Sequence, residues 1–312
     1  MSALTPFNIR IATRKSPLAM WQANYVKTLL IAFHPHITVD ILGLLTEGDK
    51  LLATPLTQIG GKGLFVKELE KAILEHRADI AVHSIKDLPV TLPDHLILAA
   101  VCEREDPRDA LVSNQFTSLD DLPQGAIVGT SSSRRACQLH AIRPDLKIEN
   151  LRGNVGTRLS RLDAGLYDAI ILAAAGLKRL EVENRIRAYL DPEIWIPAVG
   201  QGAIGIECHR DNASVLNLLT ALNHPPTQQC ITAERSMNLE LNGGCQLPIA
   251  GYATLQIEQL TIRGLVGDLE NQTLIQSEAS GSIEDAANIG AELAHKLLAA
   301  GARALLQKST IS

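Results

Sequence analysis

Short apolar runs alternate with amphipathic stretches along the first two-thirds of the chain, and a polar turn joins each pair. Residues 8–12 predict a strand. Ser16-Pro17 then opens a helix, with serine as N-cap and proline at the first helical position. Leu18, Trp21, Tyr25, Leu29 and Leu30 follow at near-helical spacing. A second strand is expected over 37–44, a helix over 64–76 and a third strand over 79–83. Between strand and helix lies a long polar stretch, 46–62. Thr46-Glu47-Gly48-Asp49 and Gly60-Gly61-Lys62-Gly63 bracket it, giving it the form of a lid.

A charged, proline-containing break at 103–109 reads as a domain boundary, and the alternation begins again beyond it. Strands over 126–129, 147–151 and 168–172 each run through a polar turn into a helix. Such alternation argues for sheets with parallel pairs covered by helices. The glycine-rich 196–203 reads as a crossing, after which strand 204–208 rejoins the first sheet. Residues 223–227, Asn-His-Pro-Pro-Thr, read as a linker. Beyond them come a helix over 228–241, strands near 249–254, 259–266 and 273–280, and a final helix opened by Ser282. The expected class is α/β: two lobes joined by a pair of crossings, and a small C-terminal α+β domain. The expected bounds are 1–102 with 200–221 for the first lobe, 103–199 for the second and 226–312 for the third domain.

Composition narrows the partners. The 312 residues, 46% hydrophobic and 20% charged, suit a water-soluble chain with a sizeable core. A net charge of −5 argues against nucleic acid or an anionic membrane surface, so any basic site must be local. Cys102, Cys137, Cys208, Cys230 and Cys245 are widely spaced with no CxxC pair, which gives neither a zinc knuckle nor a disulfide framework. No apolar run approaches the roughly 20 residues that span a bilayer, and residues 1–6 are too short and polar for a signal peptide. A reducing cytoplasm is the expected compartment, and no surface stripe demands a partner, so a monomer is expected.

Four places carry candidate chemistry. Thr13-Arg14-Lys15 sits at a strand-to-helix junction, where free N–H groups and a positive helix end suit an anion; Arg14 there either binds a carboxylate or is solvated. Lys86 and Asp87 fall just past the end of the third strand, where open α/β sheets bind ligands, although aspartate before Leu-Pro is also a good turn residue. In the second lobe Arg134, Arg135, Arg152, Arg158 and Arg179 fall near such turns beside serine and threonine hydroxyls. In an acidic protein that grouping points to a polyanionic ligand held in a cleft between lobes. The phosphate-loop pattern GxxxxGK[ST] is absent. Finally, Gly243-Gly244-Cys245 sets a thiol on a tight turn, either as a projecting nucleophile or as a small hydrophobe in a loop.

Taken together the motifs resemble the porphobilinogen deaminase family. The matching stretches are 10–19 (Arg-Ile-Ala-Thr-Arg-Lys-Ser-Pro-Leu-Ala), Gly60-Gly61-Lys62-Gly63-Leu64-Phe65 and His83-Ser84-Ile85-Lys86-Asp87-Leu88-Pro89. They continue through Gly129-Thr130-Ser131-Ser132, Arg134-Arg135, 151–158, 197–203 and Gly243-Gly244-Cys245. The resemblance implies two periplasmic-binding-protein-like lobes with a hinge, and a transferase that joins four porphobilinogen molecules head to tail with loss of ammonia. It implies a dipyrromethane cofactor tied by a thioether to Cys245, and no metal or nucleotide. It implies Asp87 and Arg14 as catalytic residues, the former a buried carboxylate able to stabilise developing positive charge or move a proton. Lys86, Asp87, Ser131, Ser132, Arg134 and Arg135 would contact the cofactor; Arg14, Ser16, Lys62, Arg152, Arg158 and Arg179 would contact substrate. Gln58 stands where some members carry lysine, and Ser133 where an aliphatic residue is common. Two rival classes fit less well. A non-catalytic anion-binding module leaves the third domain and its cysteine without a purpose. A thiol hydrolase lacks a histidine placed by motif to serve Cys245.

Overall fold

The computed structural model describes residues 7–50, 65–244, 247–269 and 271–306. Contacts divide the chain into two compact units, one of Met1–Ala53, Gly63–Arg104 and Ala203–Gln228, the other of Thr54–Lys62, Glu105–Gly202 and Gln229–Ser312.

In the first unit β1 (Asn8–Arg14) runs parallel to β2 (Thr38–Leu44) on one side and to β3 (Ile80–Ser84) on the other. Next to β3, and antiparallel to it, lies β10 (Ile204–His209), followed by β4 (Leu96–Val101). The order is β2-β1-β3-β10-β4. Helix α1 (Pro17–Phe33) starts as its sequence dictates, with the Ser16 hydroxyl accepting from the Ala19 N–H and Pro17 in the first turn. It buries Ala23, Val26 and Leu30 against Ile9, Ile11, Val39, Ile80 and Ile206 on one sheet face. The shorter α2 (Lys67–Leu74) covers the other face with Leu69, Ala72 and Ile73 over Ala12 and Ala81.

The second sheet repeats the plan. β6 (Ile127–Gly129) is parallel to β7 (Lys147–Glu149) and β8 (Ala169–Ala173). β5 (Asp109–Val112) is antiparallel to β8 and to β9 (Ile186–Tyr189), giving the order β7-β6-β8-β5-β9. In both sheets the antiparallel fourth strand is the one that follows a crossing, β5 after 103–108 and β10 after 196–203. At Gly202 (φ 89°) the crossing passes so close that a Cβ would lie 2.3 Å from the Glu105 carbonyl oxygen, which leaves room for glycine alone. Helices α3 (Ser133–Ile142), α4 (Val155–Asp163) and α5 (Ala174–Arg179) follow β6, β7 and β8.

After α6 (Ala213–Leu219) comes α7 (Pro225–Glu240), which begins inside the stretch read as a linker. Proline suits the first turn of a helix because the N–H it lacks would be unpaired there anyway, so Pro225-Pro226 starts the helix instead of preventing it. The antiparallel meander β11 (Ile249–Gln256), β12 (Gln259–Asp268), β13 (Thr273–Ser282) packs Ile262, Val266 and Ala279 against Met237 of α7 and Leu293 and Leu297 of α8 (Ala286–Leu297). At Gly267 of β12 a Cβ would lie 2.8 Å from Cys137 of α3, so the meander and the second sheet pack closely within one unit.

Three strands, β4, β5 and β9, have no counterpart among the expected elements. β5 is Asp-Ala-Leu-Val with all four residues buried, so it lacks the alternation that marks a half-exposed strand, and it starts within the charged break.

Its first residue, Asp109, is fully buried and accepts five hydrogen bonds. Arg134 Nη2 (2.7 Å), Arg135 Nε and Nη2 (3.1 and 2.7 Å), Trp195 Nε1 (2.7 Å) and Gln201 Nε2 (2.9 Å) donate them. Burial alone would push the Asp109 carboxyl up, but Arg134 and Arg135 hold it far below its ordinary value. With the folded value depressed, the stabilisation is complete at neutral pH and is lost only as pH falls well below the ordinary carboxylate range. Replacing Asp109 with Ala leaves two guanidinium groups buried without a counter-charge. We expect a loss of about 3–5 kcal/mol in urea unfolding at neutral pH; a loss under about 1 kcal/mol would show that water or rearrangement satisfies both arginines.

Candidate active site

The three parallel strands of the first sheet end on one edge, and each hands over a polar group there. β1 ends at Arg14. β2 leads into a single helical turn, Glu47–Lys50, that carries Asp49. β3 ends at Ser84 and passes into the 3-10 turn Ile85–Asp87. This is the carboxyl edge at which open α/β sheets bind ligands. An open pocket lies there, lined by Arg14, Ser16, Gln22, Phe65, His83 and Asp87 together with Ser84 and aliphatic side chains.

Arg14 is held from two sides. Its guanidinium donates from Nη2 to Asp49 Oδ1 and from Nε to Asp49 Oδ2 (3.3 Å), and it lies 4.2 Å from the centroid of the Phe65 ring. Asp49 also accepts from the Thr46 hydroxyl (2.8 Å) and N–H (3.2 Å). Burial alone would raise the Asp49 carboxyl; the bonds from Arg14 and Thr46 and the charge of Arg14 outweigh it and hold the carboxyl below its ordinary value. A Cβ on Gly48 would fall 2.1 Å from Cε1 of the Phe65 ring, so any side chain there would push the ring aside.

Asp87 is exposed, not buried, because the 3-10 turn carries it out past the strand end. It therefore lines the pocket from its wet side. Lys86 beside it is half-buried. Gln22, which the sequence reading missed, projects from α1 and donates to Ser84 Oγ at 2.8 Å. Its only sequence signal is an amide within the stripe Gln22, Ala23, Val26, Leu30 that α1 buries.

The second sheet also gathers predicted residues at the carboxyl edge of its parallel strands. Ser131 is exposed after β6, and Ser132 caps α3 by accepting from the Arg135 N–H. Arg134 and Arg135 are buried on Asp109, with further bonds to the Ile196 and Ile171 carbonyls. They are not the solvent-facing forks that helix-start arginines suggest. Arg152 is half-buried in the turn after β7, and Arg158 donates from Nε to the Gly153 carbonyl at 2.8 Å. Arg179 does not sit at a strand-to-helix turn. It closes α5, is buried, and donates to the Gly202 carbonyl at 2.6 Å. Lys62, Gln58 and Cys245 lie outside the described residues.

The family model described as the porphobilinogen deaminase dipyrromethane cofactor binding domain matches residues 9–217, and the one for the porphobilinogen deaminase C-terminal domain matches 228–299. The chain belongs to the porphobilinogen deaminase family. Among solved structures it is similar to a putative methionine-binding lipoprotein from Bacillus subtilis (13% identity, 70% of this chain and 90% of that one, TM-score 0.43). It is also similar to a nutrient binding protein from Burkholderia cenocepacia bound to methionine (15% identity, 74% and 95%, TM-score 0.44). The periplasmic VFT2 domain of Bordetella pertussis BvgS is a third likeness (16% identity, 69% and 86%, TM-score 0.40). All three are loose.

The porphobilinogen deaminase activity is a transfer. Porphobilinogen is deaminated and four molecules are joined head to tail on a dipyrromethane cofactor, giving hydroxymethylbilane for tetrapyrrole biosynthesis. The pocket fits such a group. A pyrrole with acetate and propionate arms needs a flat apolar wall, an acceptor for its ring N–H and a cation for a carboxylate; Phe65, Asp87 and Arg14, which line the pocket, are of those kinds.

Gly48→Ala tests the Arg14–Phe65 stack. The added methyl drives the ring off Arg14, and we expect kcat/KM to fall about fivefold, near 1 kcal/mol, with the unfolding midpoint little changed. Unchanged kcat/KM would show that the stack does not orient Arg14.

Proposed function

We propose that Asp87 and Arg14 perform the chemistry and that Cys245 holds the dipyrromethane. When bound, that group supplies the free pyrrole carbon at which the chain grows. The observation that carries the reading is the delivery of Arg14 and Asp87 to one pocket by two adjacent parallel strands, β1 and β3. Asp87 accepts the pyrrole N–H and, as ammonia departs, its negative charge stabilises the positive charge that develops on the ring; preorganised charge of this kind is often the largest catalytic contribution. Exposed at the mouth, it can also exchange with water the proton lost from the attacking carbon. Arg14 binds a carboxylate arm, displacing Asp49, and so orients the aminomethyl group; Ser16 and Lys62 support it. Lys86, Ser131, Ser132, Arg134 and Arg135 hold the cofactor carboxylates, and Arg152, Arg158 and Arg179 those of the growing chain.

The described cysteines favour Cys245 as the attachment point. Cys102, Cys137, Cys208 and Cys230 are all buried. Burial, with Asp268 nearby, pushes the Cys137 thiol up to about 12; burial, with Glu207, pushes Cys208 up to about 11. Thiols so raised supply almost no thiolate at neutral pH. Buried cysteines spread without a disulfide framework also suit a reducing cytoplasm, where we place the protein as a monomer. Among the described residues no helix is long and apolar enough to cross a membrane.

Intact mass with peptide mapping is the decisive test. We expect a mass increase of two linked pyrrole units on the Cys245 peptide, absent in Cys245→Ser; a primer on another residue would overturn the attachment. Asp87→Ala should keep that mass while kcat falls by about a hundredfold or more. Near wild-type kcat would remove Asp87 from the chemistry.

A further inference from the structure

The opposite edge of the first sheet carries a second group of polar side chains. Among the described residues, His95, His209 and Asp211 bring three metal-ligating atoms together, each within 4.8 Å of the other two. They come from two neighbouring strands. β10 ends at His209, and β4 begins at Leu96, directly opposite it in the antiparallel ladder. The Arg210 N–H donates to the His95 carbonyl at 2.9 Å and extends the pairing by one step, so the backbone of His95 is fixed beside that of His209.

A tight turn brings in Asp211. The Asn212 N–H donates to the His209 carbonyl and the Ala213 N–H to the Asp211 carbonyl, both at 3.1 Å, and α6 follows. The Asp211 N–H donates to His209 Nδ1 at 3.2 Å, which marks that nitrogen as the one with the free lone pair. Asp211 Oδ2 lies 3.8 Å from the same nitrogen. Two bonds of about 2.1 Å to one ion span at most roughly 4.2 Å, so this pair can share a cation with its backbone unmoved. The His95 and His209 rings are 5.7 Å apart between centroids and within 7° of parallel. An imidazole binds a metal in its ring plane, so His95 has to turn towards His209 Nδ1. Its exposure permits that turn, and Asp211 is equally exposed.

Two imidazoles and one carboxylate suit zinc, whereas calcium and magnesium take oxygen donors. Three protein ligands leave the fourth position of a tetrahedral ion to water, and the exposed side of the group faces solvent. The group is remote from the pocket. β10 runs antiparallel to β3, with Ile204 beside Ser84 at the pocket edge and Cys208 beside Ile80. From Ile204 to His209 the strand covers roughly 17 Å.

We propose that His95, His209 and Asp211 bind one zinc ion that clips the start of β4 to the end of β10. The three ligands are brought together only in the folded chain, so the ion stabilises the first unit and leaves the pocket chemistry unchanged. β4 leads out of that unit and β10 leads back into it, and the clip joins the two at their far ends.

The test uses the primed holoenzyme, stripped with a chelator and titrated calorimetrically with zinc chloride. We expect one zinc bound per chain, with the affinity lowered at least about tenfold by His95→Ala and by Asp211→Asn. Both side chains are exposed, so both variants should fold. The unfolding midpoint should rise with zinc in the wild type and stay constant in both variants, and kcat without added zinc should be the same in all three. Absence of saturable zinc uptake by the wild type would overturn the proposal. So would uptake that survives both substitutions, because the ion would then sit elsewhere.

Discussion

The five bonds converging on Asp109 set the terms for the second unit. A carboxylate excluded from water must be fully paired, and pairing this one engages α3 through Arg134 and Arg135 and the crossing through Trp195 and Gln201. β5 starts at that residue, so the fourth strand of the second sheet is fixed in register by an ion cluster as well as by its ladder. Two guanidinium groups against one carboxylate also leave a net positive charge buried at the start of α3. An acidic protein thus keeps a local basic site without exposing free arginines to solvent.

Much of this was legible in the sequence where the signal was local. Ser16-Pro17 begins α1 and Ser132 caps α3 as read, because capping depends on two or three neighbouring residues. The repeated strand-turn-helix pattern gave the parallel cores of both sheets and the return of the chain as β10. What escaped depended on partners far along the chain. β5 carries no alternation because both its faces are covered, and Asp109, lying in a run of charges, looked like part of a solvated break. Its donors come from 25 to 92 residues away, which no window of sequence connects. Gln22 was hidden for the same reason, its partner Ser84 lying 62 residues on.

The exposure of Asp87 is a subtler lesson. Position just past a parallel strand was the right signal for a place in the pocket, but burial does not follow from it, since a single 3-10 turn is enough to carry the side chain into water.

The two carboxylate–arginine arrangements differ in what an incoming anion can do with them. Asp49 and Arg14 are part-exposed, 17% and 23% by side chain, so water and salt screen the pair and a substrate carboxylate can exchange for Asp49 at little net cost. Asp109 is out of reach of such exchange: displacing it would strand a buried charge, at a cost of about 3–5 kcal/mol. A carboxylate that binds Arg134 or Arg135 must therefore use the N–H groups that Asp109 and the carbonyls of Ile171 and Ile196 leave over. The exchangeable pair suits a ligand that arrives and moves on four times. The fixed pair suits one that stays.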